Sequence, residues 1–415
     1  MTGTLGHIAV NNNLPFVELA NILFLEFSGI GRKIHIFMIE YSEKEEWVVT
    51  NVLDYIKWRG DLTFSQDGPN EVDALIFSAL AYIRYGGAVE EKPEEPVTLR
   101  EAANAFLERE DYAGRIRTKN DLELLRTAGQ SIRFGLSKIC GYTDRYIPEE
   151  ETQFAAMSFL LDDGSAFIAF RGTDETLVGW KEDFNMSFQE VIPSQKLAQQ
   201  YIEGFARQCS MSMRICGHSK GGNLAVFGAA RSPQEVQQRI VEVYNNDGPG
   251  FSEFLMGDQG YREIVPRIRT FVPQSSVIGM LLEHEEPYTI IRSNQVSILQ
   301  HEIYSWEVVG KSFVPMEEIT VDSRFLNLTI KNWANQMTVE ERNQVVDTLY
   351  AVLNSGDVKT AADIFHPRNI RRYIRAVSND DGIRKLLSGE LKSLMAAAKK
   401  AREQFDQTKR MESEE

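Results

Sequence analysis

From residue 154 to residue 293 the chain alternates short strand-like runs with helical ones, and few architectures accept that order. FAAMSFLLDD and SAFIAFRGT flank an acidic turn at Asp162 to Gly164, which predicts a β-hairpin. MRICG, a helix from Ser219 to Ala230, IVEVYNN, a helical stretch to Ile264, IRTFV and YTIIRS then follow in order. Alternation of this kind is the mark of βαβ units, so the expected fold class is α/β, a mostly parallel sheet flanked by helices with helical N- and C-terminal additions.

The flanks differ in character. VVTNVLDYIKWRG and NEVDALIFSALAYIRY carry apolar residues at three- and four-residue steps, separated by the turn-rich GDLTFSQDGPN. GGAVEEKPEEPVTLREA reads as a linker that ends where Thr98 caps a new helix, with Glu101 completing a capping box. After residue 315 strand patterns cease. A helix with Thr338 as N-cap and Gly356 as stop is expected, a further helical run begins at Thr360, and a charged helix runs out into MESEE. The expected organisation is an N-terminal extension over 1–45, a helical region over 46–120, an α/β core over 121–315 and a helical C-terminal region over 316–415. Met38 stands just before the confident helical pattern, so residues 1–37 read as an upstream extension.

Composition excludes several classes. Hydrophobic residues at 43% and charged residues at 25% suit a chain with a large buried core. A net charge of −15 argues against a nucleic-acid partner, because an acidic surface repels phosphate. Arg368, Arg371, Arg372 and Arg375 form the one notable basic cluster and read as a solvated helix face. Cys140, Cys209 and Cys216 have neither disulfide-framework nor zinc spacing, which fits a reducing cytoplasm. No apolar run reaches the roughly 18 residues of a membrane span, and the stretch Leu14 to Met38 is interrupted by charge.

The sharpest motif is Gly217-His218-Ser219-Lys220-Gly221-Gly222, a G-x-S-x-G between an apolar run and a helix. In such a turn Gly217 and Gly221 let strand and helix approach while Ser219 is thrust outward, where a neighbouring base activates its hydroxyl as a nucleophile. The plainer alternative is a Gly-rich turn with Ser219 as helix N-cap. A Walker loop fits poorly, because Lys220 follows the serine. Three histidines lie downstream. His301 follows the last strand-like run and is the expected base, with His284 in reserve, whereas His366 falls in the C-terminal helices. Asp247, at the end of IVEVYNN, completes the chain order Ser, Asp, His, although NDGPG also suits a simple turn. Glu283, Glu285 and Glu286 are the reserve carboxylates. Acyl transfer on such a triad requires no metal or organic cofactor.

These motifs carry a resemblance. RGTDETLVGWKEDF (171–184), GHSKGG and QHEIYSW resemble segments of class 3, fungal-type lipases. NVLDYIKWRGDLTF, GHSKGGNLA, NNDGPGF, VPQSSVIGMLL and HEIYSW are similar, over roughly residues 50 to 350, to the Mbeg-like family of α/β-hydrolase proteins from Gram-positive bacteria. The resemblance implies an α/β-hydrolase-like fold and a lipase- or esterase-like serine hydrolase acting on a small-molecule or lipid acyl substrate. It makes Thr173 an oxyanion-hole residue, with the main-chain N–H of Lys220 as the second donor. The sequence departs from class 3 lipases twice. VPQSSVIG offers Ser275 and Ser276 where those lipases carry their acid, and Lys220 replaces a leucine, implying either an anionic or polar substrate or a salt bridge to a nearby carboxylate.

Overall fold

The computed structural model describes residues 50–90, 96–174, 177–186, 189–251, 253–356 and 366–412. The extension over 1–45 and the helix start at Thr360 lie outside these residues.

Two capped helices open the fold. Asn51 and Asn70 each close a capping box, with Asp54 and Asp73 reaching back, and so start α1 (Val52–Arg59) and α2 (Glu71–Leu80). α2 is buried along nearly its whole length, as its continuous run ALIFSAL requires. Strand β1 (Val97–Thr98) leads into α3 (Leu99–Leu107), which Thr98 and Glu101 cap as the sequence predicts. α4 (Lys119–Gln130) completes the N-terminal helices.

The eight-stranded sheet continues with β2 (Lys138–Ile147), β3 (Thr152–Leu160) and β4 (Ser165–Phe170), and β1 through β4 pair antiparallel. β3 and β4 form the expected hairpin. After β4 come α5 (Leu177–Asn185), α6 (Pro193–Gln208), β5 (Ser212–His218) and α7 (Lys220–Arg231). β6 (Ile240–Asn246), β7 (Ile268–Pro273) and β8 (Tyr288–Ile291) follow, and β4 through β8 pair in parallel. Strand order in the sheet equals order in the chain.

Both faces are buried, which explains why the central strands read as unbroken apolar runs. On β4, Ala166, Ile168 and Phe170 point into a layer shared with Ala198, Ile202 and Leu224 of α6 and α7. Phe167 and Ala169 point the other way, toward the N-terminal helices. There Phe77 of α2 packs on Phe159 and Phe167 with ring centroids 4.5 and 4.8 Å apart. Burying each such ring is worth roughly 1.5–3 kcal/mol.

The C-terminal region is helical: α8 (Val321–Ala334), α9 (Val339–Asn354, capped by Thr338), α10 (Pro367–Asn379) and α11 (Asp381–Glu412). These helices contact chiefly one another and α5, so the N-terminal helices provide the cover on one sheet face. No helix among the described residues is long and apolar enough to cross a membrane.

Candidate active site

Ser219 sits where β5 gives way to α7, at φ 59° and ψ −134°. A non-glycine residue there stores on the order of 1–3 kcal/mol of strain, which surrounding contacts must hold. They do so closely. The Ser219 N–H donates to Asn246 O at 2.9 Å, and Ser219 O accepts from Gly222 N at 2.9 Å. A Cβ on Gly217 would lie 2.1 Å from the Gly221 backbone, and one on Gly221 would lie 2.2 Å from Phe170 O. Both positions therefore exclude any side chain. As the first residue of α7, Lys220 presents a main-chain N–H without an intrahelical acceptor.

Two further segments converge on this turn. Gly172, the residue before Thr173, passes so near that a Cβ there would stand 3.0 Å from the Cβ of Ser219. Gly248, next to Asp247, runs behind the turn, where a Cβ would meet Ser219 O at 2.5 Å.

Asp247 follows β6 at φ 54° and is fully buried. Its Oδ2 accepts a 2.6 Å hydrogen bond from His301 Nδ1. Its Oδ1 accepts from Ser276 Oγ at 2.5 Å and Gly279 N at 3.2 Å. VPQSSVIG, which lacks a carboxylate, thus supplies donors to the aspartate of the preceding strand. His301 ends a short 3-10 turn, Ser297–His301, beyond β8, and its side chain is 24% exposed.

The reserve candidates have other partners. His284 Nδ1 pairs with Glu286 at 2.9 Å and its Nε2 donates to Gly279 O at 2.7 Å. Burial works against charge on His284, but the hydrogen bond and negative charge of Glu286 raise its pKa above the ordinary value. Glu286 is held by Tyr261 and Thr270 as well. Glu283 and Glu285 are exposed, Glu283 pairs with Lys331, and His366 caps α10 at the surface.

Lys220 turns inward. Its Nζ lies 2.7 Å from Glu182 and 2.9 Å from Gln153 O, and both charged side chains are fully buried. Of the two readings of this lysine, the ion pair is the one present, and an anionic substrate receives no charge from it. Asp183, beside Glu182, receives the Thr173 hydroxyl at 2.5 and 2.6 Å. Removal from water pushes the Asp183 carboxyl up to about 6, against the pull of the Lys220 charge.

Some participants escaped sequence reasoning. His218 stacks on His301 with centroids 4.4 Å apart, contacts Tyr82 Oη through Nδ1 at 2.9 Å and reaches His301 O through Nε2 at 2.8 Å. Arg117, over the Tyr82 ring, bridges Asp121 and Glu302, and Tyr304 donates to Asp121 at 2.7 Å. The N-terminal helices therefore tie down the loop that carries His301. The position of His218 inside G-x-S-x-G was visible, but its partners lie 136 and 83 residues away.

No curated protein matches the chain. Among solved structures, the crystal structure of M37 lipase aligns with 12% identity and a TM-score of 0.33, covering 74% of this chain and 99% of that one. Residues 128–351 match the family model described as Mbeg1-like. With more than half of its length inside that match, the chain belongs to the Mbeg1-like family.

Proposed function

We propose that this protein is a serine hydrolase that cleaves an ester or other acyl bond of a small-molecule or lipid substrate through an acyl-enzyme. The observation that carries the reading is the 2.6 Å hydrogen bond from His301 Nδ1 to the buried Asp247, in a structure whose strained Ser219 turn packs on the Asp247 loop at Gly248 and bonds the His301 main chain through His218. With Nδ1–H engaged, Nε2 of His301 is the basic nitrogen, and the carboxylate fixes that tautomer.

Ser219 Oγ attacks the acyl carbon while His301 Nε2 takes its proton. The N–H groups of Thr173 and Lys220 hold the developing oxyanion, each donor being worth roughly 2.7–4 kcal/mol in comparable sites. His301 then passes the proton to the leaving group, and water, deprotonated by the same nitrogen, releases the acid and restores Ser219.

A fluorophosphonate probe tests this directly. Stoichiometric labelling that disappears in Ser219→Ala, together with turnover of p-nitrophenyl esters across a range of acyl lengths, is expected. Absence of labelling at high probe concentration in the folded protein would favour a hydrolase-like binding scaffold without turnover.

A further inference from the structure

The charge of this chain is segregated. Between Pro367 and Arg402 stand ten lysines and arginines against three carboxylates, a net +7 in a chain of net −15, so the remainder carries −22. That basic segment is α10 and most of α11, and its cations are displayed rather than spent. Arg368, Arg371, Arg372 and Arg375 of α10 are all exposed, and no carboxylate pairs with them among the described residues. On α11, at 100° per residue, Arg384, Ser388, Leu391, Lys392, Met395, Lys399 and Arg402 fall within a stripe about 100° wide and about 27 Å long. The opposite side of α11 faces inward, with Ala397 and Ala401 fully buried. Of the stripe's cations, among the described residues, Arg384 pairs with Asp381 and Lys399 with Glu403, both within the helix.

The stripe is not purely ionic. Leu391 is 54% exposed and Met395 67%, and on α10 Ile374 is 61% exposed among the arginines. Large apolar side chains set among exposed cations suit a surface with anionic headgroups over hydrocarbon, where the cations meet phosphates and the apolar tips enter the acyl boundary. A nucleic-acid backbone has charge to offer but no hydrocarbon for Met395 or Leu391. The −22 carried by the rest of the chain is repelled by the same surface, which favours approach through this basic face.

We infer that the exposed face of α10 and α11 is a docking surface for an anionic phospholipid bilayer. The inference does not depend on the acyl-hydrolase reading, since it concerns adsorption and not turnover.

Co-sedimentation of the full chain with phosphatidylglycerol vesicles, with phosphatidylcholine vesicles as the comparison, tests it. Binding to the anionic vesicles, weakened by added salt and negligible on the zwitterionic ones, is expected. Lys392→Glu/Lys399→Glu should weaken binding at least tenfold, as each cation near such a surface is worth about fivefold. Arg371→Glu/Arg375→Glu gives an independent second test on the other helix, and Met395→Ser should weaken binding several-fold at unchanged charge. All these side chains are exposed, so unchanged thermal melting is the accompanying control. No sedimentation with phosphatidylglycerol, equal binding by both reversed variants, equal binding to both lipids, or tighter binding to duplex DNA than to phosphatidylglycerol would each overturn the inference.

Discussion

The imidazole of His218 hydrogen-bonds the main-chain carbonyl of His301 through Nε2 at 2.8 Å. A carbonyl only accepts, so Nε2 carries the proton, and Nδ1 of the neutral ring accepts from the Tyr82 hydroxyl at 2.9 Å. The residue before the proposed nucleophile thereby fixes the backbone of the proposed base. His218→Phe, which keeps a ring under His301 but loses both hydrogen bonds, should lower kcat about tenfold, or about 1.4 kcal/mol, with KM little changed. Tyr82→Phe should do the same more weakly. Turnover of p-nitrophenyl acetate, normalised to fluorophosphonate-titrated sites, measures this; unchanged kcat per titrated site would reduce His218 to a packing role.

Histidine protonation also gives the fold two opposed pH dependences. Burial, with the nearby His301 and Arg117 charges, holds His218 well below its ordinary 6.5. The unfolded chain therefore binds a proton below pH 6.5 that the folded chain refuses, and stability falls on acidification by up to about 1.4 kcal/mol per pH unit. His218→Gln should flatten that slope in urea unfolding between pH 7 and pH 5, values set around the ordinary histidine range.

His284 runs the other way. Its folded pKa is raised by Glu286, so its contribution is complete below 6.5 and disappears as pH rises through the higher folded value. His284→Gln should accordingly cost more stability in mildly acidic buffer than in alkaline buffer. A cost independent of pH would mean that the residue is neutral when folded.

The buried pair of Lys220 and Glu182 predicts a strongly non-additive cycle. Glu182 also accepts the N–H groups of Ser194 at 3.1 Å and Gln153 at 3.2 Å, so it is needed as an acceptor even without the lysine. Lys220→Met should cost about 3–5 kcal/mol by leaving a buried carboxylate unpaired, and adding Glu182→Gln should recover much of the loss. Denaturant midpoints of the two singles and the double decide it: additive losses would show that the pair is not coupled.

The sequence made the strands from β3 to β7 readable because both sheet faces are largely buried there and apolar runs follow directly, whereas β8, exposed at Tyr288 and Thr289, was read from its short run YTII alone. The caps at Thr98 and Thr338 were equally plain, since each threonine side chain accepts from the N–H three residues on. β2 escaped because its register shifts between Ile139 and Tyr142, around Gly141 at φ 84°, and Asp144 and Arg145 break its alternation. α4 was also unread, its apolar positions being few. What no local pattern could reveal was long-range pairing: Tyr82 with His218, Ser276 with Asp247, and Glu182 as the partner of Lys220. In each, an ordinary polar residue gains meaning only once the fold brings distant segments together.

Asp247 offers the most discriminating test of the proposed chemistry. All three of its hydrogen bonds come from donors, His301 Nδ1, Ser276 Oγ and Gly279 N, so the site is built for a carboxylate. An amide would fit the space, but its NH2 group would oppose at least one of those donors. If it faces His301, the ring must turn Nδ1 into an acceptor and move its proton to Nε2, the nitrogen that must be free to take the serine proton. Asp247→Asn should therefore lower kcat by roughly 10³–10⁴, as in comparable triads, while costing about 1–3 kcal/mol of stability. Fluorophosphonate labelling should slow in parallel. A variant that keeps wild-type turnover would remove Asp247 from the mechanism and leave its contact with His301 as packing alone.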